Sequence, residues 1–286
     1  MTVSFKPIQP AFVAIVENVD LREDVSPQVV QELEDGFAKF GVLIFRAQRV
    51  GDYEQERFIE KFGPPSSNAR KSVLHTNHPH MLDIATQDTD GKPIDITSPR
   101  GMFLKANELW HTDGTTVQPP TRLTSLHARI LPPIAPPTQY ADMGAAWDAL
   151  SSARQARLEG LSVEHDVFWS RSQMGFPKAS FSGSQMAERQ PVHHPLVRAN
   201  WRTGRKSLYL ASHGSHIVGW PLEEGRALLK ELMELATQPQ FVYTHHWELN
   251  ELVMWDDSWT MHRATPYDGP HPRLMRWAGV EEWAPV

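Results

Sequence analysis

The sequence contains no cysteine. That absence excludes disulfides, zinc-thiolate sites and thiol nucleophiles together, so any metal must be held by histidine, aspartate or glutamate. Also missing is any apolar run near the ~18 residues that a membrane span needs. There is no basic excess: the net charge is −6 over 286 residues, without a long run of lysine and arginine, which argues against nucleic acid as the main partner. The N-terminal residues include Lys6 but no apolar stretch leading to a small-residue cleavage site, so a cytoplasmic protein without a signal peptide is expected. Internal repeats and low-complexity tracts are absent as well.

What remains is an ordinary globular composition, 40% hydrophobic and 22% charged with ten tryptophans. A chain of this length buries a large core, and one domain spanning 1–286 is expected. Ser26-Pro27 reads as an N-cap followed by proline at the first helical position, and Val30, Leu33 and Phe37 recur at helical spacing. A helix over 27–39 follows, ended by Gly41. Val42-Leu43-Ile44-Phe45 fits a buried strand, and Tyr53 to Phe62 a second helix stopped by Gly63-Pro64-Pro65. From Ser66 to about Gly101 no periodicity holds, and a lid insert over about 66–105 is expected, with His75, His78 and His80 as solvated loop residues. Strands are expected at Arg122–Ile130, His194–Val197, Ser207–Ala211, Phe241–His245, Leu252–Trp255 and Leu274–Val280. Short helices are expected at Ala145–Leu150 and Ala153–Leu161, with a longer one from Pro221 to Ala236, whereas 165–193 reads as loop. Many short strands with few helices between them suggest a jelly-roll-like fold, mainly β with helical decoration.

The fourteen histidines are the feature that bears on chemistry. His111-Thr112-Asp113 places an imidazole and a carboxylate two residues apart, which in a strand share one face. Composition alone supplies roughly 1.7 pairs of the form His-x-Asp/Glu. The pattern occurs twice, at His111/Asp113 and at His246/Glu248, so spacing does not choose between them. Two imidazoles and one carboxylate on one face, with the opposite positions open, suit a non-haem Fe(II) oxygenase. His262, after the strand signal of Leu252–Trp255, is the candidate third ligand, and Arg273 follows it by eleven residues.

Val19-Asp20-Leu21-Arg22, Val42 to Arg46, Phe62-Gly63-Pro64, Trp110-His111-Thr112-Asp113, Ala141-Asp142-Met143, Gly204-Arg205-Lys206, Val253 to Asp256 and Met261-His262-Arg263 occur in an order and at separations that carry one likeness. Over nearly its whole length the chain resembles the iron(II)- and 2-oxoglutarate-dependent dioxygenases of the taurine dioxygenase / 2,4-dichlorophenoxyacetate dioxygenase group. The resemblance implies a double-stranded β-helix (jelly roll) with His111, Asp113 and His262 as iron ligands. It implies further that Arg273 and Thr138 bind the far carboxylate of 2-oxoglutarate, and that succinate and carbon dioxide are released as a substrate C–H bond is hydroxylated by dioxygen.

The likeness is nearest to the branch acting on aryloxyalkanoates, in which hydroxylation beside the ether oxygen leads to ether cleavage. It implies a small carboxylate with an apolar or aromatic body as substrate, with Lys71, Phe103, Lys105, Phe168, Trp169, His213 and Trp277 as candidate contacts and Arg70 as a further one. The expected partner is that small molecule, with no membrane or nucleic acid, and homo-oligomerisation is left open. Two departures stand out. Trp277 replaces the second arginine that many relatives carry four residues after the first, with Arg276 shifted by one, and Pro136-Pro137 replaces a Gly-Gly before Thr138. A hydrophobic secondary metabolite as substrate, a module that binds metal and 2-oxoglutarate without turnover, and a zinc hydrolase using the same ligands are the alternatives.

Overall fold

Val42, Leu43, Ile44 and Phe45 are all apolar because both faces of their strand are covered. Leu43 and Phe45 point to a core shared with Leu33, Phe37, Phe58 and Phe62, while Val42 and Ile44 point to a second core with Phe12, Val253 and Trp255. The period-two alternation of a strand thus sorts adjacent residues into a helix-covered layer and an interior layer. The computed structural model describes residues 2–9, 11–66 and 77–283.

The helix-covered layer is one face of a seven-stranded sheet. Its order is Ser4–Gln9, Val13–Glu17, Val42–Phe45, Leu252–Asp256, Thr121–Ile130, Leu274–Glu281, Met81–Ala85. All neighbours are antiparallel except Val13–Glu17 beside Val42–Phe45. Helix Pro27–Lys39 packs here, its N-terminus capped by the Ser26 hydroxyl, which accepts from the Val29 N–H. Helix Asp52–Ile59 runs into a 3-10 turn at Glu60–Phe62. Phe58 and Phe62 meet edge to face at 5.4 Å between centroids, a geometry favoured by ring quadrupoles.

Opposite the interior face lies a three-stranded sheet of Val242–His245, Thr138–Asp142 and Thr260–Ala264. Tyr140 turns inward from it, whereas Ala141 and Met261 turn outward to a third core that helix Leu222–Ala236 covers with Leu228, Leu229 and Leu232. Two sheets enclosing an interior, with helices outside, form the jelly roll expected of the sequence. Among the described residues no helix is long and apolar enough to cross a membrane.

Two stretches without sequence periodicity are more ordered than expected. Met81–Ala85, inside the segment read as loop, is the edge strand of the large sheet, held by Leu274–Glu281. Its signal is masked by Asp83, an outward-facing carboxylate that forms an ion pair with Arg276, 2.6 Å from its Nε. Helix Pro99–Ala106 follows, with Ser98 accepting from the Gly101 N–H. Within 165–193 the chain forms helices Val167–Ser172 and Gly183–Ala187, a 3-10 turn at Lys178–Ser180, and strand Val192–Pro195. These elements are too short for a period to emerge. The strand expected at Ser207–Ala211 is confined to Lys206–Leu208.

Candidate active site

Strand alternation decides what reaches the space between the two sheets. On strand Leu274–Glu281 the odd positions Met275 and Trp277 point inward, and Arg273 just before it shares their side. Arg276 therefore faces the other way, where it pairs with Asp83 and Asp52. The one-residue shift from position 277 to 276 takes that charge out of the interior altogether. From the facing sheet come Thr138 and His262, which together with these residues line a cavity of about 830 Å³, its open mouth included.

His111 and Asp113 do not lie on a regular strand, contrary to the geometry their spacing suggests. His111 forms an isolated antiparallel bridge with His262: each backbone N–H donates to the other's carbonyl, at 2.9 and 2.8 Å. Asp113 sits in the turn that follows, where its N–H donates to Asp257 Oδ1 at 3.0 Å. Gly114 continues the turn at φ +70°, and a Cβ there would lie 2.2 Å from the Thr121 backbone nitrogen. Only glycine relieves both the left-handed backbone and that close approach.

One ligand atom from each of His111, Asp113 and His262 lies within 4.8 Å of the others, the one such group of three or more histidines and carboxylates among the described residues. His111 Nδ1 is 2.7 Å from the Leu109 carbonyl, so it carries a proton, and in the neutral ring the lone pair falls on Nε2, 3.8 Å from Asp113 Oδ1. Burial pushes the His262 imidazole down to about 3, with His111 adding to the effect against the attraction of Asp113. It is therefore neutral, the form a metal needs.

Burial penalises the Asp113 carboxylate, yet the facing imidazoles His262 and His111 and donors from Trp277 and Thr124 hold its pKa below the ordinary range. Trp277 Nε1 donates to Asp113 Oδ2 at 2.9 Å and Thr124 Oγ1 to the same oxygen at 3.1 Å. Asp257 behaves oppositely: burial, then the Asp113 charge, push its carboxyl well above the usual value. Its Oδ1 accepts from the Asp113 and Trp255 N–H groups, while Oδ2 lies 2.6 Å from Thr124 Oγ1. The two carboxyls are driven apart, so one charge, on Asp113, faces the cavity. The donor set of two neutral imidazoles and one carboxylate fits a divalent iron with open positions.

Arg273 is buried among the same walls. Its backbone N–H donates to Thr86 Oγ1, and its Nε has no hydrogen-bond partner among the described residues. Burial lowers its pKa to about 10, which leaves it cationic at neutral pH. The Thr138 hydroxyl accepts from Trp247 Nε1 at 2.9 Å, which frees its own proton to donate.

Of the candidate substrate contacts, Phe103, His213 and Trp277 line this cavity. His213 Nδ1 is 3.1 Å from Thr115 Oγ1. Lys105 pairs with Glu108 at 2.7 Å and does not line it. Phe168 is buried against Phe181, and Trp169 lies beneath the Arg226 guanidinium at 4.1 Å, in a separate recess over helix Leu222–Ala236. Lys71 and Arg70 fall outside the described residues. Arg205 and Lys206 are engaged with Asp148 and Glu159. The rival pair His246/Glu248 is exposed beyond the strand end, with Glu248 bound to Arg46, and His78 pairs with Glu56. Three residues escaped the sequence reading: Thr124, Asp257 and Arg171. The first two are buried polar groups on strands or at their ends, and Arg171 lies one turn after Asp166, an N-cap signal inside the stretch read as loop.

A double-stranded β-helix holding His-x-Asp and a distal histidine beside a buried arginine defines a class, the non-haem iron dioxygenases that take 2-oxoglutarate. Comparison with known proteins makes the assignment specific. The family described as taurine catabolism dioxygenase TauD, TfdA family matches residues 4–278. The chain is 38% identical over 281 residues to the alpha-ketoglutarate-dependent 2,4-dichlorophenoxyacetate dioxygenase of Cupriavidus pinatubonensis, covering 96% of each chain. It is 30% identical to the (S)-phenoxypropionate/alpha-ketoglutarate-dioxygenase of Sphingobium herbicidovorans, covering 94% of this chain and 91% of that one. Among solved structures, AAD-2 in complex with Mn(II) and N-oxalylglycine superposes with a TM-score of 0.91 at 37% identity, covering 100% of this chain and 98% of that one. The chain belongs to the TauD/TfdA family, and so to the enzymes that use Fe(II) and 2-oxoglutarate to oxidise a small molecule.

Proposed function

We propose that His111, Asp113 and His262 hold Fe(II), that Arg273 and Thr138 hold the far carboxylate of 2-oxoglutarate, and that the substrate is a small aryloxyalkanoate-like carboxylate. The observation that carries this reading is the convergence of the three ligand atoms, within 4.8 Å, and the unpartnered Arg273 Nε on one cavity. The substrate class is supported by the names of the two curated relatives described above and by the apolar wall that Leu82, Ile84, Phe103 and Met275 provide.

Bound iron and 2-oxoglutarate supply the dioxygen chemistry that inserts one oxygen atom into a C–H bond, the other leaving in succinate. The chain's own part is binding, orientation and exclusion of water. Trp277 and Thr124 fix the Asp113 carboxylate by donating to one of its oxygens. Arg273 supplies a charge-assisted and directional anchor for a dicarboxylate, with Thr138 as a second donor. The apolar wall holds the substrate body against the metal face and keeps bulk water from it. Hydroxylation at the carbon that bears the ether oxygen gives a hemiacetal or hemiketal, which breaks down to a phenol and an oxo acid.

Helix Pro99–Ala106, with Phe103 and Ala106 in the cavity wall, is the helical part of the proposed 66–105 cover, which also includes strand Met81–Ala85. The direct test is succinate release from 2-oxoglutarate with a panel of aryloxyalkanoic acids. Release depends on Fe(II) and substrate and is lost in His111→Ala. Turnover by iron-free wild-type protein would overturn the reading, and a zinc-supported hydrolysis would replace it.

A further inference from the structure

Arg171 occupies the cavity wall yet has no assigned task. It ends helix Val167–Ser172, on the same side as the buried Val167 and Phe168, and is itself only 5% exposed. Its Nη1 has no hydrogen-bond partner among the described residues. Among the described residues no carboxylate offsets it: burial lowers its pKa to about 10, and Arg189, which adds to the effect, carries the same sign. A buried cation without a counter-charge is costly, and a protein keeps one where a ligand completes it.

Apart from Arg273, no other arginine or lysine among the described residues supplies that role. Trp277, four residues beyond Arg273, commits its N–H to Asp113, and Arg276 is bound to acids on the outer face of the sheet. Lys105 is engaged with Glu108 away from the cavity. Arg273 and Arg171 are thus the two guanidinium groups among the described residues of the cavity lining.

Charge counting gives the same answer. A divalent cation and two guanidinium groups, less the Asp113 carboxylate, leave three positive charges, the imidazoles being neutral as ligands. The dicarboxylate 2-oxoglutarate cancels two of them. One anionic group on the substrate cancels the third.

We propose that Arg171 is the specificity-determining anchor for the substrate carboxylate, placed on a helix that lines the same cavity as Trp277. The inference rests on the proposed function and names the residue that makes the site choose acids over neutral molecules. Its mechanism is a charge-assisted, bidentate hydrogen bond in a dry wall.

The test is calorimetric binding to full-length protein loaded with Mn(II) and N-oxalylglycine, so that no turnover is needed. Phenoxyacetate and the neutral phenoxyacetamide are titrated into wild type, Arg171→Gln and Arg171→Lys. Arg171→Gln is expected to weaken phenoxyacetate binding on the order of 100-fold, the effect of removing one buried charge-assisted pair. Arg171→Lys restores part of that loss, and phenoxyacetamide binds all three proteins alike. Retained N-oxalylglycine binding reports that each variant is folded. Equal weakening of acid and amide would overturn the proposal in favour of a packing role, and weakened N-oxalylglycine binding would assign Arg171 to the co-substrate instead. Wild type that binds acid no better than amide would also overturn it. The proposed function fails separately, if the bound acid elicits no succinate from the Fe(II) enzyme.

Discussion

The indole N–H of Trp277 donates to Asp113 Oδ2 at 2.9 Å, bridging the C-terminal strand and the turn that carries the carboxylate. Residues that orient a metal ligand in this way contribute about 10–100-fold to metal affinity. Trp277→Phe keeps the ring's bulk and removes the donor. Mn(II) affinity is expected to fall within that range, measured by paramagnetic resonance of the free ion. Unchanged affinity would reduce Trp277 to a wall of the cavity.

Arg273 has a different signature. Arg273→Ala is expected to raise the 2-oxoglutarate concentration needed for half-maximal succinate release by about 100-fold or more, since a buried charge-assisted pair is lost. Thr138→Val, which removes one neutral donor, costs nearer 10-fold. Metal affinity in the absence of 2-oxoglutarate stays close to wild type in both. A metal-binding hydrolase would show neither dependence.

Gly114 tests the turn. A methyl group there meets the Thr121 backbone nitrogen at 2.2 Å on a left-handed backbone, so Gly114→Ala combines strain with a clash that no side-chain rotation relieves. A lower urea midpoint and weaker Mn(II) binding are expected together, because Asp113 is the preceding residue. A variant as stable as wild type would show that the turn has room to move.

The buried imidazoles make the fold sensitive to acid. His165 is held down to about 3 by burial, with His194 and His193 adding to the effect, against 6.5 for an unburied imidazole. The unfolded chain therefore binds the proton first. The stability this residue contributes is complete above pH 6.5 and is lost as pH falls toward 3, at about 1.4 kcal/mol per pH unit. His165→Leu removes that component, and the pH profile of the urea midpoint between 6.5 and 4 is expected to flatten accordingly. An unaltered slope would mean that His165 is protonated in the folded state.

Much of this was legible in the chain itself. The apolar run Val42 to Phe45, bounded by Gly41 and Arg46, and the capped helix from Pro27, with its helical spacing of apolar residues, declared themselves in the sequence. His111, Asp113, His262, Arg273 and Thr138 emerged through a family likeness rather than through spacing, which offered His246 and Glu248 equally. Asp257 and Thr124 stayed hidden because their importance lies in contacts made across 144 and 11 residues, which no local pattern encodes. Arg171 was obscured by the brevity of its helix, one and a half turns within a stretch of loops. The edge strand Met81–Ala85 was lost because its partner alone explains Asp83.

The reciprocal backbone bonds between His111 and His262 have a consequence for biosynthesis. During synthesis the first two proposed ligands emerge long before the third, and the bridge that frames them awaits strand Thr260–Ala264. A nascent chain shorter than residue 262 cannot form the proposed three-ligand site. Assembly of the proposed site thereby waits for residue 262, and iron that binds only the closed junction would then stabilise the fold by mass action.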